Sequence, residues 1–260
     1  MWLRLKQIAC VAQQLAPVEQ EICDILGLKV CYRDPGVSHF GLENALFPIG
    51  NQLLEVVAPT REGTAGGRYL ARRGGDGGYM VITQCDDHPS RRARVDGLGV
   101  RIVLDHQSDE FINMQLHPQD TGGSFFEIDQ QLGEGADNID GPWHPAGPDW
   151  QAYRDTSRVT GIVAAEIQCD NPYKVAARWA EIATLPVKAG EYGAGIELEN
   201  ATLRFVSCTD GRPEGLGGID VTCHDPEAVM EAARLQDRVT GESQIYVCGM
   251  RINLLRKSTR

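Results

Sequence analysis

The chain has 260 residues, a formal net charge of −11 and a hydrophobic fraction of 42%. This length fits one large domain or two ordinary ones, and the apolar content is ample for a buried core. An acidic chain with a pI near 5.0 lacks the clustered basic surface that a nucleic-acid partner usually requires. The opening MWLRLKQIAC is polar by its fourth residue and no apolar run approaches membrane-spanning length, so we expect a cytoplasmic protein without a signal peptide or a membrane partner.

Four strand-like runs each lead to a helix that begins near a proline. The runs are KQIACVAQQLAP, YMVITQCDDHP, AAEIQCDNP and GIDVTCHDP, and the prolines are Pro17, Pro89, Pro172 and Pro226. Proline in a first helical turn, preceded by Asp or Asn in three of the four cases, is a typical helix start. Short runs rich in β-branched and aromatic residues come after each helix. The sequence therefore predicts a unit of strand, helix and about three strands, repeated four times.

The closing strands of the four units align as LLEVV, FFEID, LRFVS and INLLR. Their equivalent positions are occupied by Glu55, Glu127, Arg204 and Asn253. This pattern predicts an N-terminal domain over residues 1–131 and a C-terminal domain over residues 158–260. The Gly-, Pro- and Asp-rich residues 132–157 between them are typical of a linker or a wrapping loop. The fold class expected from these units is α+β.

Cysteine usage and short motifs exclude several classes of site. Cys10, Cys85, Cys169 and Cys223 lie in predicted strands without a CxxC spacing, so we expect reduced thiols that pack as small buried hydrophobes. The sequence has no GxSxG elbow, no P-loop and no Rossmann fingerprint. It therefore gives no indication of a nucleotide cofactor.

The segments QLLEVVAP and LHPQDTGGSFFEID, which close the first two units, resemble the vicinal oxygen chelate superfamily, and the second resembles its epimerase and glyoxalase branch. Members of the superfamily include glyoxalase I, methylmalonyl-CoA epimerase, extradiol dioxygenases and bleomycin-resistance proteins. The resemblance implies tandem βαβββ modules that pair into two glyoxalase-like domains with curved mixed sheets. It also implies a divalent metal on the inner face of a cup, placed in the N-terminal domain.

The resemblance implies metal ligands on the first and last strand of each paired module. By position these are Gln7, Glu55, Glu127 and either Tyr79 or Met80, so the histidine of a glyoxalase I set is absent. The three oxygen donors suit Mg²⁺, Mn²⁺, Co²⁺ or Ni²⁺ better than Zn²⁺. A structural alternative is that strand alternation turns the two acids to solvent.

The C-terminal domain is expected to hold no metal. Its closing strands carry Arg204 and Asn253, and its opening strands are expected to present apolar or glycine residues at the matching positions. If Arg204 points inward, an anionic partner should lie near it, because an unpaired buried arginine is costly.

Two functions fit these residues. The first is a metal-assisted lyase or isomerase that acts on a small oxygenated metabolite through an enolate, with Glu127 or Glu55 as base. The second is a metal-free protein that binds or sequesters a small molecule. In either, His39, Tyr79, Met80 and His117 are expected to line the substrate site, and the chain acts as a monomer or a homodimer. An extradiol dioxygenase requires two histidines and a glutamate within one half to bind Fe(II). Neither half has that set, so this function is excluded.

Overall fold

The computed structural model describes residues 1–190 and 193–256. Up to residue 131 the elements, in chain order, are β1 (Leu3–Val11), α1 (Leu15–Leu26), β2 (Leu42–Ile49), β3 (Gln52–Pro59), α2 (Ala65–Arg73), β4 (Gly77–Cys85), α3 (His88–Gly97), β5 (Ile102–Gln107), β6 (Phe111–Leu116), α4 (Pro118–Thr121) and β7 (Phe125–Gln131). From residue 159 they are β8 (Val159–Cys169), α5 (Pro172–Ala183), β9 (Val187–Gly190), β10 (Gly193–Glu197), β11 (Thr202–Ser207), β12 (Gly215–Cys223), α6 (Pro226–Leu235), β13 (Val239–Gly241), β14 (Gln244–Val247) and β15 (Met250–Arg256). Short 3-10 helices occupy Pro35–Phe40, His144–Ala146 and Trp150–Tyr153.

The predicted proline-initiated helices are confirmed. Three of them begin behind a side-chain cap, because Asp87, Asn171 and Asp225 each accept a hydrogen bond from a backbone amide of the first turn. These caps satisfy amides that have no partner within the helix. Helix α2, which contains two glycines and begins behind Thr64, was not predicted, since its sequence AGGRYLARR has a weak apolar stripe.

The chain divides into two compact units, each made of three segments. The first unit comprises Met1–Gln7, Tyr79–His144 and the described part of Ala164–Leu216. The second comprises Ile8–Gly78, Pro145–Val163 and the described residues from Gly217 onward. This division differs from the continuous domains predicted at 1–131 and 158–260, because segments distant in sequence pack together in each unit.

Strand pairing in the first unit is mixed. β4 pairs in parallel with β7, which pairs antiparallel with β6, and β6 pairs antiparallel with β5. β8 likewise pairs in parallel with β11, followed by antiparallel β10 and β9. The core includes Trp179 of α5, whose ring stacks on Phe126 at 4.3 Å and meets Phe205 edge-on at 5.5 Å.

The second unit has the same mixture of pairings. β2 and β3 form an antiparallel hairpin, and β12 pairs in parallel with β15, followed by antiparallel β14 and β13. Helices α1 and α6 pack against each other, and α1 also packs on β3. The predicted apolar face of α1 is confirmed, because Val18, Ile22 and Ile25 are buried. The α+β class with mixed sheets is therefore confirmed.

The cysteines and the lengths of the helices were also the subject of predictions. Cys10, Cys85, Cys169 and Cys223 are buried free thiols, as predicted. Burial raises the pKa of Cys85 and of Cys169 to about 12, so both stay protonated at neutral pH. Within residues 1–190 and 193–256, none of the helices combines the length and the apolar character needed to cross a bilayer.

Candidate active site

One face of β4, β6 and β7 in the first unit carries a row of polar side chains. Glu127 of β7 lies opposite Gln115 of β6, and Asp129, two residues further along β7, lies beside Gln84 of β4. Residues two apart on a strand point to the same face, so the two acids are neighbours. We call this surface the acid face, and its members are Met80, Gln84, Asn113, Gln115, Phe125, Glu127, Asp129 and Gln131.

The two acids share one amide donor. Asn113 Nδ2 lies 2.7 Å from Glu127 Oε1 and 3.0 Å from Asp129 Oδ1. The backbone nitrogen of Met114 adds a hydrogen bond of 3.3 Å to the same Asp129 oxygen. Asn113 therefore holds the two carboxyl groups at fixed positions relative to each other.

Asp129, the inner member of the carboxyl pair, is in an environment that disfavours its ionisation. Asp129 is fully buried, and this burial raises its pKa well above the ordinary value. The charge of Glu127 and a hydrogen bond with it raise the pKa of Asp129 further. Two carboxyl groups this close cannot both be ionised without a compensating cation. Burial and the charge of Glu127 thus both raise the pKa of Asp129 and oppose its ionisation.

Exposure increases along the acid face toward the start of β7. Asp129 is 0% exposed and Glu127 is 8% exposed. Phe125 and Met80, which pair with each other at the next position, are half-buried. Gln115 donates from Nε2 to the Met80 sulfur at 3.0 Å and borders the same edge. Glu127 therefore lies between a dry interior and the accessible edge of the face.

Residues 132–144 cover the buried end of the acid face, and we call them the cover segment. Its carbonyl oxygens accept hydrogen bonds from buried side chains: Ala136 from Gln84, Asp137 and Asn138 from Arg4, and Ile139 from Lys6. At the far end, Trp143 packs edge-on against Phe111 at 5.3 Å. These residues were predicted as a linker or a wrapping loop, and the contacts are those of a wrapping loop.

The cover segment also engages Gln7, a predicted metal ligand. Trp143 Nε1 donates to Gln7 Oε1 at 2.9 Å, and both side chains are buried. This hydrogen bond occupies one of the two lone pairs of the amide oxygen and fixes its direction. Gln7 therefore has a structural role in this structure.

Glu55, the other predicted acid, lies in the second unit. Asn44 Nδ2 donates to Glu55 Oε1 at 2.7 Å, and Asn44 Oδ1 accepts from the backbone nitrogen of Asp34 at 2.8 Å. The residue two positions beyond Glu55 is Val57, so this site has no second acid on its strand. That Gln7, Glu55 and Glu127 meet at one point stays a prediction.

The predicted metal ligands all accept hydrogen bonds from protein side chains. Glu127 and Glu55 each accept from an asparagine amide, and Gln7 accepts from an indole. Over residues 1–190 and 193–256 the structure forms no group of three or more His, Cys, Asp or Glu side chains able to hold a metal.

The closing-strand residues of the C-terminal part have acidic neighbours. Arg204 NH2 lies 3.2 Å from Glu166 Oε2, and the Arg204 side chain is 34% exposed, so the prediction made for an inward arginine stays a prediction. Asn253 Nδ2 donates to Asp220 Oδ1 at 2.7 Å. The opening strands β8 and β12 place Glu166 and Asp220 in register with Arg204 and Asn253.

The residues predicted to line a substrate site are dispersed. His39 is exposed in the 3-10 helix after α1, and His117 caps α4 by accepting a hydrogen bond from Gln119 N at 3.1 Å. Tyr79 is buried and its ring contacts Phe125 edge-on at 5.0 Å. Of the four predicted lining residues, Met80 lies on the accessible edge beside Glu127.

Two residues of this site were not predicted, Asn113 and Asp129. A signal for Asp129 was present in FFEID, because strand alternation places its two acids on one face. Asn113 had no local signal, because its position depends on the pairing of β6 with β7 across α4.

The sequence and the fold were compared with known proteins. No protein-family model matches the sequence, and no curated protein matches it. A crystal structure of a hypothetical protein from Staphylococcus aureus is similar over 99% of this chain and 100% of its own, with a TM-score of 0.65 and 12% identity. At that identity the similarity extends to the fold alone.

Methylmalonyl-CoA epimerases are also among the similar structures. The Mycobacterium tuberculosis epimerase matches 50% of this chain and 89% of its own, with a TM-score of 0.44 and 21% identity. A variant of the Streptomyces coelicolor epimerase in complex with 2-nitronate-propionyl-CoA matches 51% of this chain and 100% of its own, with a TM-score of 0.45 and 23% identity.

Proposed function

We propose that this chain is a glyoxalase-like protein of the vicinal oxygen chelate superfamily, built from tandem βαβββ units, and that it is a lyase or isomerase. Its proposed reaction is proton transfer at a carbon next to a carbonyl group of a small oxygenated metabolite. The observation that supports this most strongly is the Glu127–Asp129 pair, held by Asn113 at the border between a dry interior and an accessible edge. Perturbed acid pairs of this kind are typical of proton-transfer sites.

Glu127 is the proposed base. It is the more accessible carboxyl of the pair, and the half-buried Met80 and Phe125 border it on the open side. A substrate at that edge would present its acidic C–H to Glu127, which would take up the proton and return it to the same or a neighbouring carbon. Asp129 acts through Glu127: as the protonated member it supplies a hydrogen bond and keeps the pair at one negative charge. Asp129 is therefore a positioning residue.

The metal-assisted version of this reaction is a second form of the proposal. It is favoured by the oxygen donors Gln7, Glu55 and Glu127 at the positions that the family resemblance assigns to ligands. A bound divalent ion would stabilise an enolate as a Lewis acid. Each of these three side chains already accepts one hydrogen bond from a protein donor, and no step of the proposed proton transfer depends on an ion.

A protein that sequesters a small molecule is the alternative function. The observation that favours it is the pairing of half-buried Met80 and Phe125, which offers a thioether and an aromatic ring to an apolar ligand. This function requires binding without turnover, and so it gives a different result in a proton-exchange assay.

The proposal is tested by proton exchange, which requires no knowledge of the natural product. The purified chain is incubated in D₂O with a panel of 2-oxo acids, 2-hydroxy ketones and malonyl-type thioesters, and deuterium incorporation next to the carbonyl is measured by NMR. We expect enzyme-dependent exchange for at least one class of compound, with and without a chelator. Compounds that stabilise the protein against heat without any exchange across the panel would instead support sequestration.

A further inference from the structure

Three sulfur atoms meet inside the second unit. Cys10 Sγ of β1 lies 3.9 Å from the Sδ atom of Met250 at the start of β15. Cys248 hydrogen-bonds with Cys10, and this contact together with burial raises the pKa of the Cys248 thiol. The exposed fractions of Cys10, Cys248 and Met250 are 1%, 5% and 1%.

Cys248 reaches this cluster from a strained turn. Val247 pairs with Met250 across the β14–β15 hairpin, so Cys248 and Gly249 form its two-residue loop. Both have positive φ, 48° for Cys248 and 68° for Gly249, as a type I′ turn requires. Asn or Asp before Gly is the preferred sequence of such a turn, and a cysteine with positive φ is uncommon. The turn therefore has a cysteine at a position where asparagine or aspartate would fit the backbone conformation better.

From this geometry we propose that Cys10, Cys248 and Met250 form a binding site for Cu(I). Thiolate and thioether sulfurs are the soft donors that select Cu(I) over harder ions. Three sulfurs at metal bonds of about 2.3 Å and trigonal angles lie about 4 Å apart, which agrees with the 3.9 Å between Cys10 and Met250. Cu(I) is bound by the existing sulfurs, and each thiol that binds as thiolate releases its proton to solvent.

The interior of the site is dry, and Cys248 is its most exposed member. Cys248 lies in a hairpin turn beside the half-buried Gly249, so this turn is the proposed entry point for an ion from solvent. Its sulfur also contacts the backbone oxygen of Val11 at 3.9 Å. Behind it, Cys10 and Met250 are shielded from water, which protects Cu(I) from oxidation. The site is independent of the proposed proton transfer, since it shares no residue with the acid face.

The test is a Cu(I) competition titration of the full chain, reduced and under anaerobic conditions, against a chromophoric Cu(I) chelator. We expect the wild type to bind one equivalent. The central variant is Cys248→Asn, which removes the thiol but supplies the preferred residue for the turn, so it should fold at least as well. It should lose about 100-fold or more in affinity, because one of two strong ligands is gone. Met250→Leu should lose less, because a thioether is the weaker donor.

Cys223→Ala is the matched control, since Cys223 is a buried free thiol of the same unit outside the cluster. It should bind Cu(I) as the wild type does, and X-ray absorption of the loaded wild type should show three sulfur neighbours at about 2.3 Å. Equal affinity of the wild type and Cys248→Asn would mean that other thiols capture the ion, and it would overturn the proposal. So would an absence of tight Cu(I) binding by the wild type, or a first shell without three sulfurs.

Discussion

Asn113 donates to Glu127 over 2.7 Å in the first unit, and the same distance joins Asn44 to Glu55 in the second. The two contacts differ in the neighbouring residue on the same face of the strand. Beyond Glu127 that residue is Asp129, whereas beyond Glu55 it is Val57. A carboxylate beside valine needs one amide donor to be satisfied. A carboxylate beside a buried second acid has its charge state fixed by that acid, which distinguishes Glu127 as the candidate base.

The first prediction concerns stability against pH. Asp129 keeps its proton in the folded state at pH values where the unfolded chain has lost it, because its pKa is raised. Folding then takes up a proton, and this residue lowers stability as pH rises from about 4 until the raised pKa is passed. Asp129→Asn removes this pH dependence. The free energy of unfolding of the variant should therefore rise relative to that of the wild type by up to about 1.4 kcal/mol per pH unit over that interval.

Urea unfolding of both proteins between pH 4 and 8 measures this difference. At the acidic end the two should be nearly equal, since asparagine is close in shape to a protonated aspartate. A difference that does not vary with pH would show that Asp129 ionises normally, and the shared-proton pair would be wrong.

The second prediction compares the two asparagines. Asn113→Leu removes a hydrogen bond to the Glu127 carboxylate, which contributes about 1.5–3 kcal/mol, and a second to the protonated Asp129, which contributes about 0.5–1.5 kcal/mol. Asn44→Leu removes a single side-chain hydrogen bond to a carboxylate, together with its contact to Asp34. We expect the Asn113 variant to lose more free energy of unfolding, by about 1 kcal/mol or more, in denaturant titrations at pH 7. An equal loss would mean that the contact of Asn113 with Asp129 contributes no more than the contact of Asn44 with the Asp34 backbone.

The third prediction concerns added metal. An ion present at 100 times its Kd stabilises a folded protein by about 2.7 kcal/mol, which would raise the Tm by several degrees. Because residues 1–190 and 193–256 form no group of three or more His, Cys, Asp or Glu side chains able to hold a metal, we expect Mn²⁺, Co²⁺ and Ni²⁺ to leave the Tm nearly unchanged. A gain in the wild type that Glu127→Ala abolishes would favour the metal-assisted form of the reaction over the metal-free one.

The fourth prediction concerns Arg204 and Glu166. Their side chains are 34% and 15% exposed, so solvent screens the pair and its coupling should be modest, about 0.5–1 kcal/mol. A double-mutant cycle with Arg204→Met and Glu166→Gln, measured in low and in high salt, should give a coupling that decreases with salt. A coupling of several kcal/mol that is insensitive to salt would mean that the pair is buried in solution.

Much of the fold could be predicted because its signals are local. A proline and a capping acid or amide mark helix starts within a few residues, and Glu127 stands out as an acid in an apolar strand. Asn113 could not be predicted, since its contact with Glu127 depends on how α4 sets the register of β6 against β7. Glu166 was missed for the same reason: the sequence does not show which residue of β8 lies beside Arg204.

The role of the cover segment could be predicted only in part. Its Gly, Pro and Asp content indicates a loop, and a loop can either link domains or wrap one of them. Hydrogen bonds from buried side chains make this loop a wrapping one. Arg4 and Gln84 donate to the backbone carbonyls of Ala136, Asp137 and Asn138. Backbone carbonyls occur at every position, so no sequence pattern identifies the ones that Arg4 will find.

The most direct test of the proposed reaction is the exchange assay carried out on Glu127→Gln. This variant keeps the size of the side chain and removes the base, so deuterium incorporation should decline by about 100-fold or more. Asp129→Asn should retain part of the rate with an altered pH profile, and Glu43→Gln, an exposed acid on β2, should exchange as the wild type does. If Glu127→Gln exchanges as fast as the wild type while remaining folded, Glu127 is not the base and the proposed proton transfer is contradicted.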